Sequence, residues 1–84
     1  MMIRFHTHAK ERLLERGATE QEVISTVQKG EMFTAKFGRT GFRRNFHFGK
    51  TWRGKHYEIK QVEVYAVKDD EDWIVITVIT RYFL

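Results

Sequence analysis

Phe42-Arg43-Arg44-Asn45-Phe46-His47-Phe48 is the stretch that decides how this chain folds. Successive side chains of an extended strand point to opposite faces, so a period of two separates them. Phe42, Phe46 and Phe48 then share one face, and Arg43, Asn45 and His47 share the other. Arg44 is the exception, a cation on the Phe face. Ahead of the stretch, Gly38-Arg39-Thr40-Gly41 reads as a turn and Met32–Phe37 as the strand before it. Behind it, Gly49–Lys55 reads as a loop. Tyr57–Val67 alternates again, with a change of phase near Lys60–Gln61 that predicts a bulge or bend. Asp69–Asp72 reads as an acidic turn. Trp73–Phe83 is apolar on both faces, which suits a central strand.

Before residue 31 the period is helical. Thr7 can cap a first helix over His8–Arg16, with Gly17 as its stop and Ala9, Leu13 and Leu14 as its apolar stripe. Thr19 and Glu22 have the spacing of a capping box, in which each side chain satisfies a backbone N–H of the first turn. Val23, Ile24 and Val27 follow as a buried stripe, and Gly30 ends the helix. Helices this short need a sheet to lean on. The expected architecture is therefore α+β, with two N-terminal helices packed on one face of a four-stranded, mostly antiparallel sheet.

Eighty-four residues make one domain, spanning 1–84. There is no cysteine, so neither a disulfide framework nor a thiolate metal site is available. The start, Met-Met-Ile-Arg-Phe-His, does not read as a signal peptide, and Trp73–Ile79 is too short an apolar run for a bilayer. A cytoplasmic protein without a membrane association is the expectation. Charge is unevenly spread: residues 1–30 carry +1, residues 31–60 carry +6 and residues 61–84 carry −3. Lys36–Lys55 holds seven Lys or Arg and no acid, interleaved with five aromatics and His47. Cations neutralise phosphates and aromatic planes stack on bases, so the mixture points to nucleic acid.

The run His8-Ala9-Lys10-Glu11-Arg12-Leu13-Leu14-Glu15-Arg16-Gly17, a capped helix from Thr19, the Gly/Arg-rich hairpin Gly38–Arg44 and the strand Ile76–Thr80 together resemble the small bacterial family 4258 of domains of unknown function. The order of elements is also similar to that of RelE/ParE-type toxins and of small barnase-like, metal-independent ribonucleases. That likeness implies RNA chemistry, but only by analogy of architecture.

Metal-independent RNA cleavage needs a base for the 2′-hydroxyl proton, cations for the charge building on phosphorus, and an acid for the leaving 5′ oxygen. Two sites could supply them. One, at the junction of the first helix with the sheet, draws on His8, Arg12, Arg44, Thr80 and Tyr82, and accounts for Arg44 on the Phe face. The other, on the open sheet face, draws on Arg43, His47 and Arg81. Lys36, Arg39, Arg43, Lys50, Trp52, Arg53 and Lys55 are the expected nucleic-acid contacts, Trp52 being the stacking candidate. Plainer readings stand beside these. His8 can be a surface or capping residue, Arg12 an ordinary ion-pair partner worth little, Phe42, Phe46 and Phe48 core, and Tyr82 core with its hydroxyl at the rim. No metal site is expected: His6 and His8 lack a third ligand, and Asp69–Asp72 lacks the glycine and distal glutamate of a calcium loop.

Three functions fit this pattern. The first is a cofactor-free ribonuclease, the toxin of a toxin–antitoxin pair acting on mRNA or tRNA and held by an acidic antitoxin. The second is a non-catalytic module that holds nucleic acid with residues 36–55. The third is an interaction protein whose basic hairpin docks on an acidic partner. A homodimer through the last strand is compatible with each.

Overall fold

The structure, a computed structural model, describes residues 2–84. Its first element is a strand that the hydropathy pattern does not reveal. β1 (Ile3–Phe5) is three residues long, too short to show a period, and leads directly into α1 (Thr7–Arg16). α1 is capped by His6, whose side chain accepts from the His8 N–H, so Thr7 is the first helical residue rather than the cap. Gly17 closes α1 at φ 75°, a left-handed conformation that favours glycine. α2 (Glu20–Lys29) carries the capping box: Thr19 accepts from the Glu22 N–H and Glu22 accepts from the Thr19 N–H.

β2 (Glu31–Thr34), β3 (Thr40–Trp52), β4 (Lys55–Asp69) and β5 (Asp72–Phe83) complete one sheet in the order β1-β5-β4-β3-β2. The fold is α+β, but the sheet has five strands and is mixed, not four-stranded and mostly antiparallel. β1 pairs parallel with β5 over Trp73–Val75, while β2 to β5 pair antiparallel. Parallel pairing places α1 as the connection leaving β1 at the edge of the sheet. β5 is thus central only over its first residues, and its later part has β4 as its single strand neighbour.

The proposed loop Gly49–Lys55 is also replaced by strand. A register shift between His47 and Lys50, with Gly49 at φ 57°, absorbs the glycine as a bulge, and pairing resumes to a tight turn at Arg53-Gly54. The bend expected near Lys60–Gln61 is absent, since both residues keep register with β3 and β5; the irregularity in β4 lies at Tyr65/Ala66. What changes phase at Lys60 is chemistry. Lys60 is a buried cation on the helix-facing side, in line with Val62, Val64 and Ala66.

Ala9 and Leu13 of α1, Ala18, and Val23 and Val27 of α2 form one core with Phe42, Val62, Val64, Ala66, Val75 and Val78. Leu14, placed in the apolar stripe from its spacing, is 84% exposed. The C-terminal end of α1 is held by three sheet side chains. Thr80 Oγ1 and Tyr82 OH both donate to the Arg16 carbonyl, at 2.7 and 3.0 Å, and Lys60 Nζ donates to the Gly17 carbonyl at 2.9 Å. Those carbonyls have no partner within the helix, so the sheet satisfies what the helix end leaves open. Lys60 also reaches Glu22 Oε1 at 2.8 Å and so ties α2 to the same point.

Candidate functional site

The structure separates the residues of the proposed junction site. His8 and Arg12 share a cleft of about 260 Å³ with His6, Ile76 and Thr77, where β5 leaves β1. His8 stacks on His6 and lies 3.8 Å from Glu11. Thr80 and Tyr82 lie at the other end of α1, committed to the Arg16 carbonyl. Eight residues of helix separate His8 from Arg16, a rise of about 12 Å. Arg44 occupies the helix-facing side and donates to Ser25 Oγ on α2, with its guanidinium over Phe46. Its place on the Phe face is thus explained by α2.

The expected nucleic-acid contacts are likewise distributed. Lys36 and Arg39 flank the turn between β2 and β3, Arg43 lies mid-strand, and Lys50, Arg53 and Lys55 sit towards the far end of β3. The basic stretch runs from the turn before β3, along that strand, to the turn that leads into β4. Trp52 is not a free platform. It stacks on Tyr82 at 5.1 Å with 18° between planes, and Arg53 covers it while donating to the Glu15 carbonyl. Burial raises the Tyr82 phenol pKa above its ordinary 10.0.

The compact constellation is on the opposite, helix-free face. Register aligns Glu31, Arg43, Glu63 and Ile79 across four strands, with Phe33, Gly41, Tyr65 and Thr77 in the next row. On the other side runs Asn45, Gln61 and Arg81, and beyond it His47, Ile59 and Phe83. Glu63 is the centre, 2% exposed. Its Oε2 accepts from Arg43 Nε at 2.9 Å and pairs with Arg81 Nη1 at 3.1 Å, while Tyr65 OH donates to Oε1. Arg43 also reaches Glu31 at 3.2 Å and lies 4.5 Å over the Phe33 ring. Asn45 Oδ1 accepts from Gln61 in the adjacent row.

Burial pushes the Glu63 carboxyl up, but hydrogen bonds from Tyr65, Arg43 and Arg81 outweigh it and hold the group below its ordinary 4.5. The same contacts act in reverse on the donors. The hydrogen bond to Glu63 raises the Arg43 guanidinium, and it raises the Tyr65 phenol above 10.0, with burial adding to it. At neutral pH the cluster is therefore a carboxylate, two guanidiniums and a protonated phenol.

Of this cluster the sequence pointed to Arg43 and Arg81, and to His47, which is exposed two rows from Arg43. It missed Glu63 and Tyr65. The signal was present: Gln61, Glu63 and Tyr65 alternate in β4 and would oppose Asn45, Arg43 and Gly41 in any antiparallel pairing that aligns the charges. Among the described residues, no three His, Cys, Asp or Glu side chains gather as a metal would require. No described helix is long and apolar enough to cross a membrane.

Fold and site define a small α+β domain with one helix-covered sheet face and one open, charged face. The chain belongs to a family described as Domain of unknown function (DUF4258), whose model matches residues 5–80. No curated protein and no solved structure matches the chain.

Proposed function

We propose that this protein binds RNA across the open face of its sheet and cleaves it without a metal ion. The observation that carries this reading is the convergence of Arg43, Arg81 and Tyr65 on the buried carboxylate of Glu63. Both arginines keep exposed surface, 38% and 46% of their side chains, so each can turn spare N–H groups to a phosphodiester. As they do, Glu63 loses donors and gains basicity, and takes the proton of the attacking 2′-hydroxyl. The 2′ oxygen bonds to phosphorus and the P–O5′ bond breaks. Tyr65 protonates the leaving 5′ oxygen, and the proton held by Glu63 passes back to Tyr65 along the hydrogen bond they already share. Protons balance, and the guanidiniums meet the charge that builds on the phosphate.

Residues 31–60, with eight basic and two acidic side chains, favour a polyanionic substrate for this chemistry. In this reading the chain is the toxin of a toxin–antitoxin pair, its target mRNA or tRNA, and an acidic antitoxin covers the basic β3 face. One observation favours a second reading, a module that binds without cutting. Among the described residues no buried side-chain N or O lacks a hydrogen-bond partner, and Glu31 adds a further acid to Arg43, as in a purely structural ion-pair network.

Total RNA incubated with the pure protein in EDTA separates the two. Cleavage lost in Arg43→Gln/Arg81→Gln and kept in His8→Ala supports the nuclease on the open face. Salt-sensitive binding with intact RNA, by the wild type, supports the module.

A further inference from the structure

The turn before β3 contains a residue that local physics does not favour there. Arg39 N–H bonds to the Lys36 carbonyl, and the two residues between them, Phe37 and Gly38, have φ 61° and 70°. Positive φ at both central positions is the geometry of a type I′ turn, which favours Asn, Asp or Gly. The other non-glycine residues with positive φ are Arg53 and Asp70, so Phe37 alone among the described residues holds an aromatic ring in this conformation. Its ring is not used by the fold, being 88% exposed. A strained backbone that presents an exposed aromatic ring makes sense where something outside the chain meets the ring.

Beside it lies an open groove of about 700 Å³. Phe33, Phe37, Tyr65 and Ile79 give it apolar and aromatic walls, and Lys36 and Arg39 give it cations. No acidic side chain lines it. Phe33 is fixed there because Gly41, its cross-strand partner, leaves room: a Cβ on Gly41 would fall 2.2 Å from the ring. Phe33 and Tyr65 meet edge to face at 6.0 Å. Tyr65 belongs both to this groove and to the Glu63 cluster, so groove and cluster are contiguous.

We infer that the groove is a nucleobase subsite, in which an unpaired base of single-stranded RNA stacks on Phe37 while Lys36 and Arg39 hold its flanking phosphates. The inference rests on the RNA reading of the open face and names the part of the substrate next to the reacting phosphate. Aromatic walls suit the π-face of any base, and cations without acids suit its polyanionic backbone; an apolar peptide would need no such cations. A nucleotide next to the cleaved bond is thereby held splayed out of its stack, as single-stranded recognition requires.

Phe37→Asn tests this without endangering the fold, because Asn is the residue the turn prefers. Binding of an eight-nucleotide 2′-O-methyl RNA, which has no 2′-hydroxyl to attack, is measured beside an abasic strand of equal length. The expected result is an unchanged or higher melting temperature, RNA binding weaker by about ten-fold or more, near-normal affinity in Phe37→Tyr, and no effect of Phe37→Asn on the abasic strand. Equal RNA affinity of wild type and Phe37→Asn overturns the base subsite; if Arg43→Gln/Arg81→Gln still loses RNA, the RNA reading of the open face survives. Absence of RNA binding by the wild type overturns both.

Discussion

Arg43 and Glu63 occupy directly opposed positions of neighbouring strands, and Arg43 Nε donates to Glu63 Oε2 at 2.9 Å. The pair is built into the register of β3 and β4 and needs no loop to bring it together. Sites placed on strands are held more rigidly than sites on loops, which suits the exchange of partners with a phosphate that the proposed reaction asks of this carboxylate.

The first prediction follows from that carboxylate. Its folded-state pKa lies below the ordinary 4.5, so its stabilisation is complete above that value. As pH falls through 4.5 the unfolded state protonates first, and the contribution is lost down to the folded-state pKa. Melting temperature followed from pH 7 to pH 3 should fall in the wild type, and Glu63→Gln should fall less steeply over the acid part of that range. Parallel curves would show that Glu63 does not carry the acid sensitivity.

Tyr65 behaves in the opposite sense. Its folded-state pKa is raised above 10.0, so its contribution is full below pH 10 and is lost as pH rises through the folded value. In an ultraviolet phenolate titration, Tyr65→Phe should remove a component that ionises above pH 10.

Gly17 is required twice over. It has φ 75°, and a Cβ there would fall 2.6 Å from Tyr82 OH and 2.8 Å from the Trp52 ring. Gly17→Ala should cost about 2–4 kcal/mol in urea unfolding, from left-handed strain together with overpacking. A loss under 0.5 kcal/mol would mean that Tyr82 and Trp52 do not close over the helix end.

Lys60 joins the Gly17 carbonyl to Glu22 with its side chain 7% exposed. Lys60→Ala leaves a largely buried carboxylate without its cation and should cost about 3 kcal/mol. Tyr82→Phe, by contrast, removes one of two donors to the Arg16 carbonyl and should cost about 1 kcal/mol. It should leave RNA cleavage unchanged, which separates the helix anchor from the open-face cluster.

Both helices and most of the antiparallel strands were legible because their signals are local: the Thr19–Glu22 box, Gly17 and Gly30 as stops, and alternation from Phe42 to Phe48. β1 was not, since three residues carry no period and its partner lies seventy residues away in β5. Gly49 looked like a loop because a bulge and a turn have the same composition. Lys60 looked like a bend because a buried cation breaks a hydrophobic pattern as a phase shift does. The charged open face was half legible. Arg43, His47 and Arg81 announce themselves by type and face, whereas Glu63 becomes meaningful only when register sets it between two arginines.

Cleavage of a defined single-stranded RNA in EDTA, with the product ends identified, tests the central claim most directly. The account predicts 2′,3′-cyclic phosphate ends, and a rate about 10²–10⁴-fold lower in Glu63→Gln, with Tyr82→Phe cutting as the wild type does. Intact RNA with the wild-type protein, or equal cutting by Glu63→Gln, would contradict it.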